Sequence, residues 1–333
     1  MSKFDEKVVE KFGEELTKSS EIQIKGLTAE DLKNWAYSYN VDIYSDPRSM
    51  EFFLKIVLNA PPHVGVIAQI LRAVFLQEKG HAVQIVLADL EARSARGKKK
   101  TAISVYEKKY RAFIRALGFD DSKCANCLSL QSKNKYTMEK VFSLAPYIFD
   151  EDIDGLIPEY SHFNGGTNFG KRLMATATIS NYFYPRWSGG RAWYADDRIV
   201  LSGLDEHAGI SAAKKVFKRF IDSEGYLPYT VGGLYTPTID GLNGHSKMNK
   251  TQRGSVIDVD WSLEDIQDFF RNYVDPENHE DSIIYQMMQA IMVGEGEYLA
   301  EARYEFYRDR RRWVERRRDF SEKLSQIFEL WGE

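Results

Sequence analysis

The feature that most narrows what this chain can fold into is a strand, a tight turn and a helix written in succession from residue 53. Phe53-Leu-Lys-Ile-Val-Leu58 is a compact apolar run, Asn59-Ala-Pro-Pro-His-Val-Gly65 breaks it with turn-forming residues, and helical spacing runs from Ile67 to Lys79. Gly80-His81 interrupts that helix, Val83-Gln-Ile-Val-Leu-Ala88 reads as a second buried strand ending at Asp89, and a charged helix is expected from Ala102 to Leu117. Strand, helix, strand and helix in that order indicate an α/β fold with a parallel sheet and crossover connections. Ligands of such sheets bind beyond the carboxyl ends of the strands, and His63 and Asp89 both follow strands.

Before this unit, Val8, Val9, Phe12 and Leu16 stand at helical spacing and Thr28-Ala-Glu-Asp31 resembles a helix cap, so residues 1–47 read as a helical lead-in. After it, residues 150–200 are irregular and aromatic, with Tyr160, Phe163, Tyr184, Trp187 and Trp193 among many Gly, Asn and Asp. They read as mixed loops, a lid or an insertion. The strand–helix unit resumes with Arg198-Ile-Val-Leu-Ser202, a turn at Gly203-Leu-Asp-Glu-His207 and a helix from Ala212 to Phe220. Beyond Thr251 the chain is mainly helical, and Ser262-Leu-Glu-Asp265 has the form of a second cap. The expected division is a lead-in at 1–47, a catalytic domain at 48–260 and a helical region at 261–333.

Composition excludes more than it identifies. A formal net charge of −4 over 333 residues gives no global attraction for nucleic acid or membrane, so any RNA contact must be a local patch. No stretch approaches the ~20 apolar residues of a membrane span. The N-terminal residues lack both the apolar run of a signal peptide and the bias of a transit peptide, and a cytoplasmic location is expected. The two cysteines, Cys124 and Cys127, are half of a tetrahedral zinc site; a zinc site, a redox pair and two ordinary reduced thiols all remain open, the last being the plainest.

Two short segments carry chemistry. Pro62-His63-Val64-Gly65 lies between a strand and a helix, where helix N-terminal amides face a bound phosphate and an imidazole can donate to it. Lys247-Met-Asn-Lys-Thr251 lies in a Gly-rich loop far along the chain, where two ammonium groups can stabilise charge on a displaced pyrophosphate. Alone, the first is an ordinary turn and the second an ordinary solvated loop. Together, in this order, they resemble the His-Ile-Gly-His and Lys-Met-Ser-Lys-Ser signature pair of class I aminoacyl-tRNA synthetases. Val86-Leu-Ala-Asp-Leu90, Gly203-Leu-Asp-Glu-His207, and Leu242-Asn-Gly onward through Ile257-Asp-Val-Asp-Trp261 to Ser262-Leu-Glu-Asp-Ile266 are similar to the tyrosyl and tryptophanyl branch.

The resemblance implies a Rossmann-type catalytic domain that uses ATP with Mg²⁺ to activate an amino acid, aromatic by default, and passes it to tRNA. It implies catalytic roles for His63, Lys247 and Lys250 and nucleotide contacts from Pro62, Gly65, Gly203, Met248 and, to the ribose, Asp205. It also implies amino-acid contacts from Asn59 and Asp89, and a homodimer. Two departures stand out. Val66 replaces the second signature histidine and has no donor, a loss that typically costs ~10²–10³ in rate. Asn249 replaces the usual serine and keeps a polar side chain. Arg303, Arg308, Arg310, Arg311, Arg312, Arg316, Arg317 and Arg318 are interleaved with Tyr304, Phe306, Tyr307 and Trp313, which reads as an amphipathic helix with a solvated basic face, a tRNA-contacting surface, or both. Few residues follow the lysine loop for an anticodon-binding domain. A non-tRNA acceptor or a catalytically weak RNA-binding paralogue therefore stand as alternatives.

Overall fold

A computed structural model describes residues 3–24, 26–41, 50–94, 96–123, 127–133, 137–154, 156, 169–183, 185–188, 191–195, 197–225, 230–249, 252 and 254–332. In chain order its first elements are α1 (Lys3–Phe12), β1 (Leu16–Lys18), α2 (Ala29–Leu32), β2 (Tyr37–Tyr39), β3 (Met50–Val57), α3 (Val64–Glu78), β4 (Ala82–Ala88), α4 (Asp89–Ser94), α5 (Lys100–Ala116) and β5 (Leu128–Leu130). There follow α6 (Thr137–Leu144), α7 (Asp150–Asp154), α8 (Phe169–Tyr182), β6 (Pro185–Ser188), β7 (Arg191–Ala195), β8 (Asp197–Gly203), α9 (His207–Glu224) and β9 (Val231–Thr236). The chain ends in α10 (Leu263–Asn272), α11 (Ile283–Ile291), α12 (Gly296–Arg308) and α13 (Arg310–Glu329).

The strands β9, β8, β3, β4 and β5 pair in parallel in that order, and β2 and then β1 extend the β9 edge antiparallel. From the central β3 the chain steps one way to β4 and β5, then returns to the other side as β8 and β9. Right-handed crossovers stepping in opposite directions place their helices on opposite faces. Accordingly α3 and α5 share one apolar cluster with Phe52, Leu54 and Ile56, while α8 and α9 share another with Phe53 and Val200. The reversal between β3 and β8 opens a crevice at their carboxyl ends.

The parallel sheet expected from the alternating pattern is thus present, and both cap-like segments are capping boxes. Thr28 accepts from the Asp31 N–H and Ser262 from the Asp265 N–H, each answered by the aspartate. Three readings need correction. The 1–47 lead-in is not wholly helical, because Leu16–Lys18 and Tyr37–Tyr39 join the sheet; strands of three residues are too short to show a period. The 150–200 segment contains a helix, α8, whose buried positions mix large side chains (Met174, Ile179, Tyr182) with small or polar ones (Ala175, Ala177, Thr178, Ser180), so no apolar stripe stands out. Its Tyr160, Phe163 and Tyr184 lie outside the described residues. The Ile257–Trp261 segment forms one bridge, Asp258 with His63, and no strand. Cys127 is buried and disulfide-bonded, not an ordinary reduced thiol, while Cys124 lies outside the described residues.

The C-terminal helices are part of the same core. One apolar cluster runs from Ile24 to Trp331, and the Trp331 ring meets Tyr110 and Phe113 of α5 at 4.9 and 5.5 Å. Buried Arg72 on α3 donates to the carbonyls of Asn34 and Ala290, fastening N- and C-terminal segments to the first crossover helix. The arginine-rich helix α13 divides by face. Arg317 and the Trp313 indole both donate to Asp275 at 2.9 Å, and Arg316 is held by Glu301 and Glu305, whereas Arg311, Arg312 and Arg318 are exposed. Side chains of Asp275 and Arg317 are only 3% and 6% exposed. Asp275→Ala, which strands a buried guanidinium, is expected to destabilise the protein by about 3–5 kcal/mol, read as a lower denaturant midpoint at unchanged m-value.

Candidate functional site

His63 ends the turn after β3 and caps α3. Its backbone is extended, and its Nδ1 accepts from the Gly65 N–H at 3.1 Å. That bond places the proton of a neutral ring on Nε2, which makes the imidazole a donor. Gly65 is needed for this fold-back, because a Cβ there would lie 2.9 Å from the His63 ring. The turn is fastened from outside by two backbone bonds. The Val64 N–H donates to Ile257 O at 3.1 Å, and the Val259 N–H donates to Pro62 O at 3.3 Å.

The opposite wall is the turn after β8. Asp205 accepts from Lys247 Nζ at 2.5 Å, and a Cβ on Gly203 would fall 2.4 Å from the Asp205 carboxylate. Gly203 therefore lets this carboxylate turn back over the strand end. Lys247 also lies over the Phe4 ring of α1, 4.4 Å from its centroid. The lysine segment itself is tied down on either side. Buried Met248 donates its N–H to Ile239 O at 2.9 Å, and Ser255 accepts from the Asn249 N–H while donating to the Asn249 carbonyl. Lys250 lies outside the described residues; its neighbours Asn249 and Gln252 both line the cleft.

One cleft of about 550 Å³ joins these parts. Asn59, His63, Gly65, Val66, Gly203, Asp205, Lys247 and Met248 all line it, so segments far apart in sequence meet as their motifs require. Pro62 and Asp89 do not line it. The Pro62 carbonyl holds Val259, and the Asp89 carboxylate accepts from the Ser132 N–H at 2.9 Å.

Sequence reasoning missed six charged or aromatic groups in the same cleft: Phe4, Lys55, Glu91, Arg96, Tyr110 and Glu206. A lysine inside the apolar run of β3 was the available signal. Lys55 pairs with Glu91 at 3.2 Å, and Tyr182 of α8 donates to Glu206 at 3.1 Å. Desolvation raises the Glu206 carboxyl above its ordinary range; Lys55 opposes the shift, Asp205 and Glu91 add to it, and the Tyr182 hydrogen bond opposes it.

A parallel sheet with crossovers on both faces and a cleft at its reversal point defines a Rossmann-type α/β protein. Residues 59–291 match the family model for tRNA synthetases class I (W and Y), and the chain belongs to that family. Among solved structures, a parasite tRNA synthetase in a product-bound form is similar at TM-score 0.75 and 16% identity, covering 98% of this chain and 92% of that one. Plasmodium falciparum tryptophanyl-tRNA synthetase gives 0.73 and 14%, with the same coverage. Archaeoglobus fulgidus tyrosyl-tRNA synthetase complexed with L-tyrosine gives 0.67 and 16%, over 84% and 88% of the two chains. No curated protein sequence matches the chain significantly.

The Glu206 shift has a sign that stability can read. The folded state holds this proton more tightly than the unfolded chain, so its contribution is full below the ordinary glutamate range and is lost as pH rises through the raised value. Glu206→Gln cannot ionise. It is expected to melt above wild type at pH 7, with the difference shrinking towards pH 4; a variant that melts no higher at pH 7 contradicts the assignment.

Proposed function

We propose that this protein forms an aminoacyl-adenylate from ATP and an amino acid and passes the aminoacyl group to tRNA. The observation that carries the reading is that His63, Asp205 and Lys247 line one cleft at the reversal point of a parallel sheet. ATP fits these residues. The N-terminus of α3 and the His63 donor suit phosphate oxygens, and Gly65 leaves room for them. Asp205 suits the ribose hydroxyls, and Lys247 suits phosphate once it leaves Asp205. Mg²⁺ would accompany the triphosphate, whose oxygens are the hard ligands this ion prefers.

In this reading the amino-acid carboxylate attacks the α-phosphorus in line and pyrophosphate departs. The His63 and Lys250 side chains stabilise charge on the phosphates, and Lys247 helps hold the loop. Positioning and electrostatic stabilisation supply most of the acceleration. Tyrosine and tryptophan are the first substrates to test, on the family's description. Homodimerisation and tRNA contact through exposed Arg311, Arg312 and Arg318 belong to the same proposal.

A slower second version draws on Val66, which lines the cleft beside His63 and offers no hydrogen-bond donor. Transfer to a small molecule, peptide or carrier protein, or RNA binding with little catalysis, are its forms. Pyrophosphate exchange without tRNA charging supports the first form, and no exchange with any amino acid supports the second.

The direct test is ATP–pyrophosphate exchange. His63→Ala and Lys250→Ala are each expected to lower the exchange rate by about 10²–10³ while leaving the fold intact by circular dichroism. Exchange unchanged in Lys250→Ala removes that lysine from the mechanism.

A further inference from the structure

The first helix, α1, is fastened across the carboxyl ends of β8 and β9. Buried Asp5 accepts from the Thr238 N–H, just beyond β9, at 3.0 Å. Val8 and Val9 pack against the apolar cluster of α8 and α9, and the Phe12 ring meets the His207 ring edge to face at 4.8 Å. His207 is fully buried and starts α9 two residues after Asp205. These contacts fix α1 against the turn that carries Asp205, and its first turn places Phe4 in the wall of the cleft.

Lys247 is seated between two supports. Its Nζ donates to Asp205 at 2.5 Å and lies 4.4 Å from the centroid of the Phe4 ring, whose negative face attracts it. This seat is on the α8 and α9 side of the sheet, whereas Val64 and Ile67 at the start of α3 belong to the cluster on the other side. The two supports respond differently to a nucleotide. A ribose on Asp205 competes for the carboxylate and so breaks the ion pair as part of binding. It leaves the ring in place, and Phe4 goes on holding the ammonium away from phosphates at the α3 N-terminus. Only part of the population then has Lys247 ready for phosphate, and apparent affinity falls by that fraction.

We propose that Phe4 is a positioning residue for the lysine segment: its ring sets the resting place of Lys247 on α1, and nucleotide binding draws the ammonium off it. The proposal rests on reading the cleft as an ATP site and makes the first helix a control on how readily the lysine reaches phosphate. It gives Phe4 an unusual sign for a residue that lines a binding cleft. A side chain that touches the nucleotide aids binding, whereas Phe4 acts through Lys247 and opposes it. Removing the ring face therefore tightens binding. A cation–π contact at a partly exposed lysine holds its cation by about 2–5-fold, which sets the size of the effect.

The test is calorimetric titration of the full chain with a non-hydrolysable ATP analogue, for wild type, Phe4→Leu, Phe4→Tyr, Lys247→Met and Phe4→Leu/Lys247→Met. Leucine keeps the apolar contact of α1 and removes the ring. Phe4→Leu is expected to lower Kd by about 2–5-fold, and Phe4→Tyr, which keeps a ring face, to retain the wild-type Kd. With Lys247→Met already present, adding Phe4→Leu is expected to leave Kd unchanged, because the ring acts only through the ammonium. Weaker or unchanged binding by Phe4→Leu overturns the proposal, as does the same tightening in the Lys247→Met background; either result leaves the ATP reading of the cleft standing. No binding of the analogue to wild type overturns that reading and this proposal with it. If Phe4→Leu loses helical signal by circular dichroism, Phe4→Met serves in its place under the same expectations.

Discussion

Two backbone hydrogen bonds hold the site together. They join Pro62 and Val64, in the turn after the first parallel strand, to Ile257 and Val259, just beyond the lysine segment. Each such bond is worth only about 0.5–1.5 kcal/mol net, but leaving buried amides unmade would cost more. Their consequence is positional. The His63 cap and the chain leaving the lysine loop move as one unit, so the loop's reach towards the crevice is fixed by the same sheet that carries the imidazole.

Against that fixed frame, the contact between Lys247 and Asp205 is replaceable. Both side chains are partly open to solvent, and pairs of this kind contribute about 0–1 kcal/mol. A ribose and a phosphate can therefore take over Asp205 and Lys247 at little cost, while Gly65 and Gly203 keep the backbone close enough for them to do so. The buried Lys55–Glu91 pair behaves differently. Separating it without replacement would leave a buried charge uncompensated, at the cost of its desolvation.

Much of this was legible in the sequence because it depends on local patterns. The apolar runs at 53–58 and 83–88, the turn at 59–65 and the two capping boxes are each specified within a few residues, and the structure places strands, a helix start and caps there. The helix α8 was not legible, since alanine, threonine and serine interrupt the larger Met174, Ile179 and Tyr182 on its buried positions, and β1 and β2 were not, since three residues show no alternation. At the site, His63, Gly203, Asp205 and Lys247 could be named because motifs mark them. Phe4, Glu91 and Glu206 could not, because only the tertiary fold brings α1, α4 and the turn after β8 to one crevice. Asp89 shows the limit of placing a residue by strand end alone. It begins a helix whose third residue, Glu91, is the one that reaches the cleft.

The central claim is that a nucleotide binds where the His63 turn, the Asp205 turn and the lysine segment meet. A crystal structure with a non-hydrolysable ATP analogue tests it most directly. The account requires the triphosphate at the N-terminus of α3, the ribose on Asp205, and Lys247 moved from Asp205 to phosphate. A nucleotide bound elsewhere, or one bound while Lys247 and Asp205 remain paired, contradicts it.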